Sequence, residues 1–262
     1  MALLAIPFAA AIGLSLGLLG GGGSVLAVPI LVYILGQSVH TATTTSLIVV
    51  TIGALAGGVG HARAGRVCWR HATAFTTAAL PGVIAGTALG NAISGRTLIG
   101  AFALIMLAAA AGIWHKAGGA ARDKEHDGQP SCPPLLVVKD LAAGLLIGTM
   151  TGFFGVGGGF LIVPALAILL GLHMRLAVGT SLAIITATSI LGLAAHLISG
   201  SGLDLLVAGT MTGACTAGAL GGAALAGHVP QRQLSRSFAG LVVAVAGYLL
   251  VSTTLLGGPP GA

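Results

Sequence analysis

Displaced by 135 residues, the sequence matches itself without a gap from Gly13 to Gly65. Gly17 meets Gly152, Gly20 meets Gly155, and Gly22-Gly23 meet Gly157-Gly158. Pro29 meets Pro164, Gly36 meets Gly171, and Ala42 meets Ala177. Thr45-Ser46-Leu47 meets Thr180-Ser181-Leu182, Thr51 meets Thr186, and His61 meets His196. The register then slips by a few residues and returns at Gly86 and Gly90, opposite Gly218 and Gly222. Apolar bias would align leucine with leucine. It would not align proline, histidine and a glycine cluster at one offset. The chain therefore consists of two copies of one unit.

What surrounds that unit follows from charge. Charged residues make up 6% of the chain, and the mean hydropathy is +1.05. A soluble domain carries about 25% charged residues, so lipid must be the solvent for most of this surface. Apolar stretches near 42–60, 72–92, 97–114, 177–198, 205–226 and 237–256 are long enough to span. Each half also opens with an apolar stretch interrupted by glycines, 2–36 and 140–171. Each reads as a helical hairpin with a short second arm, about 24–35 and 160–170, either re-entrant or two tilted helices. Residues 2–19 follow no Lys or Arg, so they read as mature protein rather than a leader. The expected fold is an all-α polytopic membrane bundle of two repeats, each a Gly-broken hairpin plus three transmembrane spans. Residues 1–114 form the first repeat and 140–262 the second. The polar stretch 115–139 is a solvated linker.

The basic residues orient this bundle. Arg63, Arg66, Arg70, Lys116, Arg122, Lys124, Lys139, Arg175, Arg232 and Arg236 fall in loops on one side, and Arg96 falls on the other. The positive-inside rule makes the first side, with the linker, cytoplasmic and puts both termini outside. Each half then crosses an odd number of times, so the repeats are inverted, a plan common among secondary transporters. The formal charge of +6 is spread through these loops, which speaks for lipid headgroups and against nucleic acid. Cys68, Cys132 and Cys215 are far apart and suggest neither a metal site nor a disulfide. No cofactor motif, nucleophile–base set or P-loop stands out, so an enzyme is not expected.

Candidate binding residues sit at the two helix breaks. Gly20, Gly22, Gly23 and Ser24 precede one short arm, and Gly155, Gly157, Gly158 and Gly159 precede the other. Unpaired amides at a helix N-terminus favour anions, and glycine lets an anion approach closely. Thr45, Ser46, Thr180 and Ser181 open the next span of each half and could add hydroxyl donors. Their bland reading is a bond back to their own helix. His61 and His196 read either as interfacial anchors or as gating or proton-coupling residues. Gly82-x-x-x-Gly86-x-x-x-Gly90 and Gly218-x-x-x-Gly222 read as packing faces, within one chain or between two copies in a homodimer. Asp123, Glu125, Asp127, Asp140 and Asp204 all lie outside the depth of the spans. A cation pathway normally needs an intramembrane carboxylate, so a small anion is the expected substrate.

Gly17-x-x-Gly20-x-Gly22-Gly23 with Pro29 and Thr45-Ser46-Leu47 resembles the sulfite exporter TauE/SafE family. The second copy, Gly152-Phe153-Phe154-Gly155-Val156-Gly157-Gly158-Gly159 with Pro164 and Gly179-Thr180-Ser181, resembles it more closely still. The resemblance covers nearly the whole chain. It implies a bacterial or archaeal inner-membrane carrier of small sulfur-containing anions, such as sulfite or an organosulfonate; the expected function is their export by alternating access. A passive anion channel and a carrier of small organic carboxylates remain the alternatives. Ser24 stands where the second half has Gly159, so the two half-sites differ.

Overall fold

The computed structural model describes residues 2–31, 35–36, 39–90, 104–113, 132–154, 159–198 and 205–255, and all regular structure among them is helical. Helix α1 (Ala2–Leu19) stops at Gly20, whose φ of +71° suits glycine alone without cost. Helix α2 (Gly22–Pro29) starts two residues later and folds back on α1. A Cβ at Gly23 would stand 2.5 Å from the Ile12 carbonyl oxygen. Helices α3 (Val39–Arg63), α4 (Trp69–Gly90) and α5 (Leu104–Ile113) follow. The second half opens with α6 (Val137–Phe154) and α7 (Gly159–Pro164), which runs on as a wider π turn over Ala165–Leu169. It continues with α8 (Met174–Ile198), α9 (Leu205–Leu225) and α10 (Gln231–Leu255). Each apolar stretch marked in the sequence falls on a helix over its described residues. The stretch 97–114 does so over Leu104–Ile113, its remainder lying outside the described residues.

The short arms share a detail the sequence pattern does not show. Proline lacks the N–H that closes an i→i−4 bond, and its ring crowds the preceding turn. Past Pro29, Leu35 N–H donates to the Ile30 carbonyl at 3.2 Å. Past Pro164, Leu170 N–H donates to the Ala165 carbonyl at 3.3 Å. Both bonds span five residues. Each arm then ends on a left-handed glycine, Gly36 at φ +66° and Gly171 at φ +72°. Bond and glycine recur at the 135-residue offset of the repeat. The second hairpin returns the chain to its starting side, because Lys139 and Asp140 at its start line the same cavity as Leu170 and Gly171 at its end.

Helix pairs exchange between the halves: α1 lies along α9, and α6 lies along α4. Small residues set both contacts. A Cβ at Gly13 would collide with the Cys215 carbonyl, and one at Gly218 with the Ala10 carbonyl. In the other pair, Gly148 stands against Ala79 and Gly82 against Leu145 in the same way. In lipid no hydrophobic drive brings helices together, so close backbone approach supplies the packing. The packing reading of Gly82, Gly218 and Gly222 thus matches the structure. Helices α3 and α8 meet antiparallel. A Cβ at Gly57 would lie 3.4 Å from Leu182, and one at Gly192 would lie 3.6 Å from Leu47. These two contacts are reciprocal under the repeat.

Ile84, Val138 and Leu206 are 75%, 81% and 70% exposed, whereas Thr44, Thr45, Thr180 and Ser181 are buried. Large apolar side chains outside and hydroxyls inside suit a lipid surround. One expectation is overturned: Cys68 and Cys132 form a disulfide, with Cα atoms 5.8 Å apart across 64 residues of sequence. Spacing could not reveal it, because the end of the linker meets the α3–α4 loop only through the fold. Cys215 is a buried free thiol.

Candidate functional site

The two hairpins touch where their short arms begin. A Cβ at Gly21 would collide with the carbonyl of Gly159, the first residue of α7. A Cβ at Gly159 would lie 2.7 Å from the Ser24 hydroxyl, which itself donates to the Gly21 carbonyl at 2.7 Å. Gly20 faces Ser181 Oγ, where a Cβ would stand at 2.5 Å. Gly22 faces Leu241 and Phe238 of α10, and Gly23 lies on α1. The structure therefore gathers Gly20, Ser24, Gly159 and Ser181 at one place. It turns Gly22 and Gly23 toward protein packing. Gly155, Gly157 and Gly158 lie outside the described residues. Gly22 and Gly23 open α2, so their amides are among those a helix leaves without internal partners.

The hydroxyls differ in their commitments. Ser181 Oγ donates to the Val178 carbonyl at 2.8 Å, the bond back to its own helix that such residues favour. Thr180 Oγ1 accepts the Cys68 backbone N–H at 3.0 Å and keeps its own proton to donate. Ser46 is buried and bonded. Thr45 is fully buried, and its hydroxyl has no partner among the described residues. A buried hydroxyl without a partner costs about 1–3 kcal/mol, so Thr45 calls for an explanation beyond packing.

His61 is fully buried, which corrects its reading as an interfacial anchor. Its Nε2–H donates to the Gly17 carbonyl at 2.9 Å, tying the end of α3 to α1 close to the break. A carbonyl can only accept, so Nε2 carries the proton. Its Nδ1 has no partner among the described residues. The start of its side chain borders Gly179, one residue from Thr180: a Cβ there would stand 3.1 Å from His61 Cβ. His196 falls on α8, and its side chain lies outside the described residues.

Among the described residues, the α3–α4 loop with Arg66, the start of α8 with Arg175 and the α9–α10 turn gather at one end of the bundle. Arg66 donates to the Ala223 carbonyl at 3.5 Å, and Arg175 to the Val229 carbonyl at 3.1 Å. Burial first, and the Arg175 charge second, lower the pKa of the Arg66 guanidinium. His71, which the sequence marks only as a loop residue, is buried at this same end. Its Nδ1 meets Asp140 Oδ1 at 2.5 Å, and its Nε2–H donates to the Pro133 carbonyl at 3.2 Å. The pair borders a cavity of about 170 Å3 shared with Pro134, Lys139 and Gly171. Sequence reasoning missed it because its members are 69 positions apart and neither lies in a motif.

Comparison with known proteins adds a name to this geometry. A probable membrane transporter protein of Xylella fastidiosa is 40% identical over 172 residues, covering 65% of this chain and 64% of the relative. The match thus spans a little under two thirds of that relative's length. A probable membrane transporter protein of Bacillus subtilis is 27% identical, over 79% of this chain and 82% of its own. Another, of Methanocaldococcus jannaschii, is 29% identical over 76% and 75%. No solved structure matches. The family profile described as sulfite exporter TauE/SafE matches residues 5–249. The chain belongs to the sulfite exporter TauE/SafE family.

Proposed function

We propose that this protein is a secondary carrier that exports a small sulfur-containing anion, such as sulfite or an organosulfonate, across the inner membrane. The two hairpin tips hold the anion, and the two halves, inverted with respect to each other, alternate its access. The observation that carries this reading is the meeting of the short arms at Gly21 and Gly159, beside the Ser24 hydroxyl and the buried hydroxyl of Ser181. The buried Thr45 and Thr180 lie on the helices that follow, α3 and α8. The reciprocal Gly57–Leu182 and Gly192–Leu47 contacts of antiparallel α3 and α8 support inversion. The gathering of Arg66, Arg175 and the α9–α10 turn at one end supports a shared cytoplasmic face, with both termini outside. Among the described residues the acid is Asp140, and it sits in the first turn of α6, paired with His71. That favours an anion over a cation or proton as cargo. His61 would gate the first half by sensing movement of α1 against α8, a reading supported by its bond to Gly17 and its contact with Gly179.

Counterflow in proteoliposomes tests the proposal. Labelled sulfite outside should accumulate transiently when unlabelled sulfite is loaded inside, and saturate with concentration. Flux that never responds to trans sulfite would mean a channel. Flux of lactate but of neither sulfite nor sulfoacetate would transfer the substrate to the carboxylates.

A further inference from the structure

The Cys68–Cys132 bond joins two segments that the transport reading leaves without a role, and its two sulfurs are unequal. Cys132 is exposed, and Cys68 is 2% exposed. Cys68 directly precedes α4 (Trp69–Gly90), and its carbonyl accepts the Ala72 N–H at 2.9 Å, so it caps that helix. A thiolate at a helix N-terminus is stabilised, and a stabilised thiolate leaves a disulfide faster. The bond thus offers one sulfur for attack and another as leaving group. It also lies at the end of the bundle where Arg66 and Arg175 gather, the end that the positive-inside rule makes cytoplasmic. In that compartment lasting disulfides are rare and those that form are transient.

We propose that Cys68–Cys132 is an exchange site for a small anionic sulfur nucleophile, a thiolate or sulfite, which attacks Cys132 and expels Cys68. The nucleophile's sulfur lone pair forms a new S–S bond to Cys132 Sγ. The Cys68–Cys132 bond breaks, and its electron pair leaves with Cys68 as thiolate, which takes a proton from water. The incoming sulfur is oxidised as Cys68 is reduced, so no further oxidant is needed. A thiolate leaves a mixed disulfide on Cys132, and sulfite leaves an S-sulfonate. Only the sulfite arm rests on the proposed substrate.

The consequence reaches the candidate site by one residue on each side. The Cys68 N–H is bonded to Thr180 Oγ1. Next to Cys132, the Pro133 carbonyl is bonded to His71, the partner of Asp140. Opening the bond releases the lead of α6 from the loop that holds Thr180.

The experiment treats the folded protein, in detergent and in proteoliposomes, with glutathione or with sulfite. The reaction is then quenched with acid, the protein denatured, free thiols alkylated and the peptides weighed. Untreated protein should show alkylation at Cys215 alone. After sulfite, Cys68 should be alkylated and Cys132 should carry the sulfonate. After limiting glutathione, Cys132 should carry the mixed disulfide. An adduct on Cys68 would overturn the proposal. So would a bond that resists both reagents when folded yet opens at once in urea, since that is a structural cross-link. The two readings fail separately. Resistance to both reagents with sulfite flux intact rejects exchange alone. Opening by sulfite in a protein that moves no sulfite rejects the substrate alone.

Discussion

On α9, Gly213 and Gly218 lie on one helix but meet different neighbours. A Cβ at Gly213 has nothing within 4 Å, whereas one at Gly218 collides with the Ala10 carbonyl of α1. Gly213→Ala should leave thermal stability in detergent unchanged or raise it, by up to about 1 kcal/mol of helix propensity. Gly218→Ala should lower it by about 1–3 kcal/mol through overpacking. The buried His71–Asp140 pair gives a second expectation. His71→Ala leaves a carboxylate that is fully buried without its partner, at a cost of about 3–5 kcal/mol. Adding Asp140→Leu to that variant should recover part of the lost melting temperature. At this scale the sequence was readable where a period carries the signal, as in Gly218-x-x-x-Gly222. It was silent on His71–Asp140 and Cys68–Cys132, whose partners meet only once the linker's end docks against the α3–α4 loop.

Among the elements, the first broken hairpin was legible because Gly20, in the left-handed region, ends α1 and the arm that follows is short. The wide terminal turns of the short arms were not, since a proline announces a disturbed ladder but not the i→i−5 bond that replaces it. The glycines that end these segments differ in what they ask of a substitution. Gly171 has φ +72° and open space around it, so Gly171→Ala meets backbone strain alone, about 1 kcal/mol. Gly171→Asn should restore most of that, because asparagine tolerates the left-handed region. Gly20→Ala adds a clash with Ser181 Oγ to the same strain. It should cost more, and side-by-side melting curves of the three variants check the order. Tight packing also changes how the tips can be tested. A valine at Gly23 would strike the backbone of α1, so its loss of flux would not separate binding from folding.

For the whole molecule, the repeat and the count of basic loop residues anticipated the gathering of the 64–67 loop, the start of α8 and the α9–α10 turn at one end. Which side of the membrane that end faces is open to direct labelling. Cysteines placed at Ala64 and His228, both exposed, should react with an impermeant maleimide only from the cytoplasmic side. An anion path that runs past the hairpin tips and the buried hydroxyls of α3 and α8 is the claim on which the rest depends, and Thr45→Val tests its α3 side most directly. Valine keeps the shape and removes a hydroxyl that is buried without a partner among the described residues. Packing alone therefore gives no reason for the variant to be less stable. The account predicts a melting temperature at least as high as the parent's, together with a clear loss of sulfite counterflow. Unchanged counterflow in a protein of equal stability would contradict it and move the anion's path away from the buried hydroxyls of α3.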